Sequence, residues 1–294
     1  MALHYGQTQL FRYVYDPDDA QLESPRPYLH PLRTLAGDEV TLYRPHDHVW
    51  HKGLVLSLPH VGDANFWGGV TWVRGEGYQQ LPNNGSMRHV AFDRLEVSGD
   101  GSAIVQERLS WVTEQGEPWV SESRDLRARV SPDSQAWVLD FTTRITNVSG
   151  ASFGIGSPTT YGRPNAGYGG LYWRGPRSFT GGVVHIPDGS SAVAGGDELM
   201  GTRAPWMAFT GVHDGHGRVS TVVMVDAPTN PTHPTQWFVR ANPFACLCPA
   251  PFFDAELTLA PGEAVGLRYA VVIADGDGSR AEQWAALGAA SWQS

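Results

Sequence analysis

Apolar and polar residues alternate along most of this chain. Trp137, Leu139, Phe141, Thr143 and Ile145 fall on one face and Asp140, Thr142 and Arg144 on the other, the period-two pattern of a half-buried strand. The same pattern predicts strands over Val40–Tyr43, Phe92–Val97, Ile104–Val112, Trp119–Val130, Val219–Val225, Trp237–Arg240 and Gly266–Ala274. Gly and Pro clusters separate them, and 34 Gly with 21 Pro serve as turn punctuation on this scale. Leu257–Gly276 reads as an antiparallel closing hairpin, two strands joined by a Pro-Gly-Glu turn. Only Ser279–Leu287 has a helical pattern, with Ser279 as N-cap and Glu282 at capping-box spacing.

These elements predict an all-β fold of packed antiparallel sheets with one short C-terminal helix. There is no internal repeat, charge block or low-complexity linker, and the Gly/Ser-rich stretch Gly181–Gly201 reads as a long loop rather than a boundary. The expected organisation is one domain, 1–294, built from two large sheets.

Composition narrows the function. With 41% hydrophobic and 17% charged residues the chain is globular and long enough to bury a sizeable core. Its longest apolar runs, YAVVIA near Tyr269 and VVMV near Val222, fall far short of the ~20 residues of a membrane-spanning helix. The N-terminal MALHYGQTQLFRY has neither the basic start nor the apolar stretch of a secretory signal, so a soluble, cytoplasmic protein is expected. A net charge of −9 without Lys/Arg runs argues against a nucleic-acid surface and leaves small neutral or cationic ligands. Cys246 and Cys248 lie two apart, on one face of a strand, with no second pair to complete a zinc site; buried free thiols are expected.

The candidate chemistry centres on RPHDHVWHKG, Arg44–Gly53. It holds His46, His48 and His51, three of the chain's eleven histidines. Imidazole exchanges protons near neutrality and is also the commonest metal ligand. His48 and His51 are therefore candidates for general acid/base work. His46, His48 and His51 together form the alternative, a divalent-metal site, which would need a further ligand from His89, His233, Glu122 or Asp254.

Aromatic residues set beside Gly or polar positions, among them Trp67, Tyr161 and Trp237, suit the apolar faces of sugars. Arginines among them, Arg33, Arg124, Arg174 and Arg240, complete the candidate binding set. Glu122 and Arg124 share a strand face and are read as an acid and fork donor aimed into a pocket. No nucleophile elbow or activated cysteine context is present.

The segments RPYLHPLRTLAGDEVTLYRPHDHVWHKGL, NFWGG, GSMRHV, ESRDLRAR, GYGGLYWRG, APWMAFTG and NPTHPTQWFVRANPF resemble, in this order, the family called "methane oxygenase PmoA-like". The resemblance runs from about Arg26 to Gly276. It implies a fold similar to the galactose mutarotase supersandwich and a setting among carbohydrate enzymes, despite a name that refers to a membrane oxygenase. Asp47 through Gly53 correspond to the family's Asp-His-Pro-His-His-Arg-Gly, with Val49, Trp50 and Lys52 departing from it. His89 and His233 also fall where the family places histidine, which implies one cleft lined by His48, His51, His89 and His233.

The expected activity is a carbohydrate-active lyase, hydrolase or epimerase. Histidine would act as acid and base on a sugar, keto-sugar or glycoside, Glu122 as the carboxylate partner, and Arg124 or Arg240 would steady enolate-like charge. This reading needs no cofactor and is compatible with a homo-oligomer. The alternatives are a metal-dependent enzyme and a carbohydrate-binding module that uses the aromatics but not the histidines.

Overall fold

A computed structural model describes residues 1–187, 191–193 and 197–292. Among these residues the named strands pair antiparallel throughout and form two large sheets. The first has nine strands in the order Ser191–Val193, Val183–His185, Trp206–Val212, Val219–Asp226, Ala264–Asp275, Ala136–Asn147, Pro118–Ser131, Ala103–Val112 and Ser86–Val97. The second has seven, in the order Ala2–Tyr5, Thr8–Val14, Tyr28–Leu32, Leu54–Ser57, Gly170–Arg174, Cys246–Ala250 and Gln236–Arg240. The sequence reading of an all-β antiparallel architecture therefore holds.

Strand periodicity explains how the sheets meet. Leu54, Leu56, Leu171, Trp173, Val239 and Leu247 of the seven-stranded sheet share one buried cluster with Val105, Leu126, Leu139, Phe141, Leu267 and Val271 of the nine-stranded sheet. Side chains at alternate positions point the other way. Val55, Tyr172, Phe238, Cys246 and Cys248 thus form a separate apolar cluster on the outer face of the seven-stranded sheet, covered by Trp67 and Phe244 from loops. Both cysteines are free and buried, as expected. The helix Ala281–Ala289 lays Ala281, Trp284 and Ala285 against Val138, Val223 and Val272 on the outer face of the nine-stranded sheet.

Three local expectations are corrected. Val40–Tyr43 is not a strand; Val40 N bonds Leu32 O and Leu42 N bonds Arg174 O, each at 2.9 Å, without a partner strand alongside. Leu257–Gly276 is not a hairpin. Leu257–Leu259 pairs with Phe153–Gly156 in a small three-stranded sheet, because both edges of Ala264–Asp275 are taken by Val219–Asp226 and Ala136–Asn147. The helix starts at Ala281 after a 3₁₀ turn, Gly278–Arg280, and Asp277 supplies the capping oxygen, accepting from Ser279 N at 3.1 Å.

In the segment read as a loop, Val183–His185 pairs with Trp206–Val212, while 188–190 and 194–196 lie outside the described residues. No described helix is long and apolar enough to cross a membrane.

Candidate functional site

The outer face of the seven-stranded sheet carries a cavity of about 430 Å³, within the range of small-molecule sites. Tyr172 and Phe238 rise from the sheet into it, with Arg240 at the end of its strand. Two loops complete the walls. One is the histidine segment, with His48, Trp50 and His51, and the other brings Trp67 and Gly68.

Buried charge holds the histidine loop. Glu23 accepts from Arg44 Nη2 at 2.5 Å and from Lys52 Nζ, and Lys52 also reaches Asp19 at 3.1 Å. Burial works to raise the Glu23 carboxyl, but the hydrogen bonds and charges of Arg44 and Lys52 overcome it and hold it below its ordinary value. Arg26, itself buried, donates to Trp50 O at 2.7 Å. Within the loop His48 N bonds Pro45 O at 3.0 Å and His51 N bonds His48 O at 2.9 Å.

The second loop is shaped around Trp50. Gly68 has φ +97°, and a Cβ there would lie 2.6 Å from Glu23 O and 2.7 Å from Trp50 Cβ. Only glycine fits. Asn65 Oδ1 accepts from Trp67 N and Gly68 N at 2.8 and 3.0 Å, which fixes the turn that presents Trp67.

His48 and His51 stack, with ring centroids 4.7 Å apart and planes 16° from parallel. Nδ1 of His51 lies 3.2 Å from the Tyr172 hydroxyl, and Trp67 meets the His51 ring edge-on. Burial holds His51 well below the ordinary imidazole value, and the charges of His48, Arg174 and Arg26 lower it further. Burial also lowers His48, against the opposing charge of Asp47. Burial raises the Tyr172 phenol well above its ordinary value. Two neutral rings and a protonated phenol thus stand side by side near neutral pH, a set that can take a proton from one ligand position and return one to another.

The structure brings together His48, His51, Trp67 and Arg240 of the sequence-derived set. Arg174 lies just beneath them, fully buried, with its guanidinium 3.8 Å from the centre of the Phe244 ring that forms part of the cavity wall.

The remaining candidates lie elsewhere. Glu122 and Arg124 do pair, Nε–Oε1 2.8 Å and Nη2–Oε2 3.0 Å, but inside the core, where Trp111 and Thr143 take up the other lone pairs of the carboxylate. They face the second sheet rather than a cleft. His89 bonds Glu107 at 2.6 Å beside Tyr15 and Phe92 on another strand, and His233 bonds Asp226 at 2.9 Å. The four histidines therefore do not line one cleft. Arg33 pairs with Glu39, Tyr161 stacks on His60 at 4.0 Å, and Trp237 fills the core with its Nε1 on Ala204 O.

His46 is exposed and faces Arg177, with Nη2–Nδ1 3.4 Å, so it does not converge with His48 and His51. Among the described residues no group of three or more His, Cys, Asp or Glu is arranged to hold a metal ion. The three-histidine metal alternative loses its donor set on this geometry.

Tyr78, Tyr168 and Tyr172 belong to the aromatics that the sequence marks as suited to sugars without assigning them to the site, while Phe238, Phe244 and Arg163 are left out altogether. Their common signal is position on, or covering, the outer face of the seven-stranded sheet, which the alternation within GLYWR and QWFVR encodes once the facing sheet is known.

Among solved structures, the chain is similar to an α-galactosidase from Lactobacillus brevis, with TM-score 0.47, 9% identity, 97% of this chain and 40% of that one. It is also similar to the GH36 α-galactosidase AgaA from Geobacillus stearothermophilus, with TM-score 0.40, 13% identity, 94% of this chain and 40% of that one. A galactose mutarotase related enzyme from Lactobacillus acidophilus gives TM-score 0.39 and 11% identity, covering 93% of this chain and 97% of that one. The chain spans about 40% of the length of the α-galactosidases it matches. Likeness at these scores carries no chemistry over to this chain. No curated protein matches it in sequence. Residues 1–287 match the profile of a family of unknown function, DUF6807, and not a PmoA-like family, which corrects the resemblance drawn from the motifs; the chain belongs to DUF6807.

Proposed function

We propose that this protein is a sugar-active enzyme that works by acid/base chemistry in the cavity of the seven-stranded sheet. The observation that carries this reading is the stack of half-buried His48 on buried His51, with His51 hydrogen-bonded to Tyr172, at a cavity walled by Trp50, Trp67, Tyr168 and Phe244. Aromatic faces stack on the CH surfaces of a sugar. Neutral imidazoles supply the base, and the phenol or the second imidazole returns the proton. Epimerisation, elimination and glycoside cleavage all use this pair of transfers. The chain acts as a single domain in this proposal, supported by a core cluster that draws on both large sheets.

The test is a thermal-shift screen of monosaccharides, keto-sugars and glycosides, followed by a turnover assay on the sugars that stabilise the fold, since a ligand that binds only the native state raises its Tm. His51→Gln is expected to keep binding while turnover drops by roughly 10²–10⁴-fold. Full turnover in His51→Gln, or sugar binding without turnover in the native protein, overturns the catalytic assignment.

A further inference from the structure

The two histidines at the cavity meet different charges. Those acting on His51 come from His48, Arg174 and Arg26, each of them cationic or able to become so. His48 feels the same Arg174, Arg177 and one carboxylate, Asp47, besides the His51 ring stacked on it. Nδ1 of His48 lies 3.3 Å from Oδ2 of Asp47. The other oxygen of that carboxylate, Oδ1, accepts from Arg177 Nη2 at 2.6 Å, and the same Nη2 lies 3.4 Å from Nδ1 of His46.

The oxygens of Asp47 thus have separate partners. One is an arginine from the 3₁₀ turn Arg177–Phe179, 130 residues along the chain, and the other is an imidazole. A carboxylate accepting from Nδ1 holds an imidazole in the tautomer that leaves the Nε2 lone pair open, and it stabilises the ring once Nε2 is protonated. Nδ1 of His48 is buried, so Nε2 is the nitrogen left to a ligand in the cavity that His48 lines. His51 is placed the other way round. Its Nδ1 meets a phenol that burial keeps protonated, and a charge on its ring would face Arg174 and Arg26.

We infer that Asp47 and His48 form the proton-accepting dyad of this cavity, with Arg177 as the positioning residue that turns Asp47 toward the ring, while His51 and Tyr172 work uncharged on the returning side. This assignment rests on the acid/base reading and divides its labour. In the step itself an N–H bond forms at Nε2 of His48 as an O–H or C–H bond of the ligand breaks. The electron pair stays on the ligand, and the imidazolium sits against Asp47 until a proton goes back. At 3.3 Å the Asp47 contact is longer than a charge-assisted hydrogen bond, and it is expected to shorten as the ring gains its charge.

The first experiment needs no ligand. Nitrogen-15 spectra of the full-length protein with labelled histidine read the tautomer and titration of His48, its signals identified by their loss in His48→Gln. The native protein is expected to carry the His48 proton on Nδ1. In Asp47→Asn the midpoint of His48 is expected to fall by about 1 pH unit, since the carboxylate is gone while Arg174 and Arg177 remain. Asp47 is partly exposed, so this variant is expected to fold. Arg177→Gln, which frees Asp47 to turn away, is expected to show both tautomers. The second experiment is turnover of the sugars that stabilise the fold. Asp47→Asn is expected to lose roughly 10²-fold in kcat with KM little changed, and the acidic limb of its kcat/KM profile is expected to move down with the His48 midpoint. An unchanged tautomer and midpoint in Asp47→Asn, or full kcat in that variant, overturns the dyad and leaves the sugar site standing, because His51→Gln reports on that site independently. A single tautomer kept in Arg177→Gln overturns the positioning role of Arg177. No turnover of any sugar by the native protein overturns the acid/base reading itself, and the base role of His48 with it.

Discussion

The hydroxyl of Tyr172 lies 3.2 Å from Nδ1 of His51, across 121 residues of chain. One comes from the pleat of a central strand and the other from a loop pinned by buried charge. Removing the phenolic oxygen tests their relationship directly. Tyr172→Phe keeps the ring in the wall and takes away the hydrogen bond to His51, a loss of about 1 kcal/mol of stability per hydrogen bond removed. Turnover is expected to fall by roughly 10²-fold with ligand affinity little changed, read from steady-state kinetics beside denaturant melts. Unchanged kcat would remove Tyr172 from the proton path.

Glu23 anchors the histidine loop through Arg44 and Lys52. Glu23→Gln leaves Lys52 buried with Asp19 as its remaining acidic partner. Breaking a buried pair in this way costs on the order of 3–5 kcal/mol. Urea melts are expected to show this loss together with a lowered kcat, because the loop that places His48 and His51 loosens.

Glu122 separates the sequence reading from the structural one. Its carboxylate is consumed by Arg124, Thr143 and Trp111 inside the core. Glu122→Gln is expected to destabilise the fold by about 3 kcal/mol and to leave kcat per folded molecule unchanged. A selective loss of kcat with intact stability would return Glu122 to the catalytic set.

Stability is expected to fall in mild acid. Burial lowers His60 from 6.5 to about 4, and its Nε2 has no hydrogen-bond partner. The unfolded chain therefore binds this proton first, so the contribution is complete above about 6.5 and is lost as pH falls toward 4. By pH 4 the loss from His60 amounts to about 3 kcal/mol, and His48 and His51, lowered in the same direction, add to it. His60→Phe keeps the stack on Tyr161 and removes this titration. Melts between pH 4 and 7 are expected to show a shallower slope in the variant; an identical slope would refute the assignment.

Gly68→Ala places a methyl group against Glu23 O and Trp50 Cβ at a backbone angle that disfavours side chains. The expected cost is about 1–3 kcal/mol, accompanied by a change in tryptophan fluorescence as Trp50 moves. An unchanged spectrum and melt would show that the loop tolerates the methyl.

The sequence alone determined the long strands of the nine-stranded sheet and the short helix, because side-chain direction in a strand depends only on local alternation; of the seven-stranded sheet it marked only the strand Gln236–Arg240. It also singled out His48 and His51, because clustered imidazole is rare enough to stand out. Which strands neighbour one another is a non-local matter. Leu257–Leu259 and Ala264–Asp275 sit beside a good turn, yet they join different sheets because the longer strand has both edges occupied. The same dependence on pairing decided the site. Glu122 and Arg124 read as an acid and fork pair in any strand, and only the packing of the second sheet against that face turned them into a core ion pair. Tyr172 and Arg240 reached the cavity wall the opposite way, through a register across three strands that places them on the outer face. Local periodicity sets which residues can share a face; which face becomes core and which becomes cavity depends on what the rest of the chain packs against it.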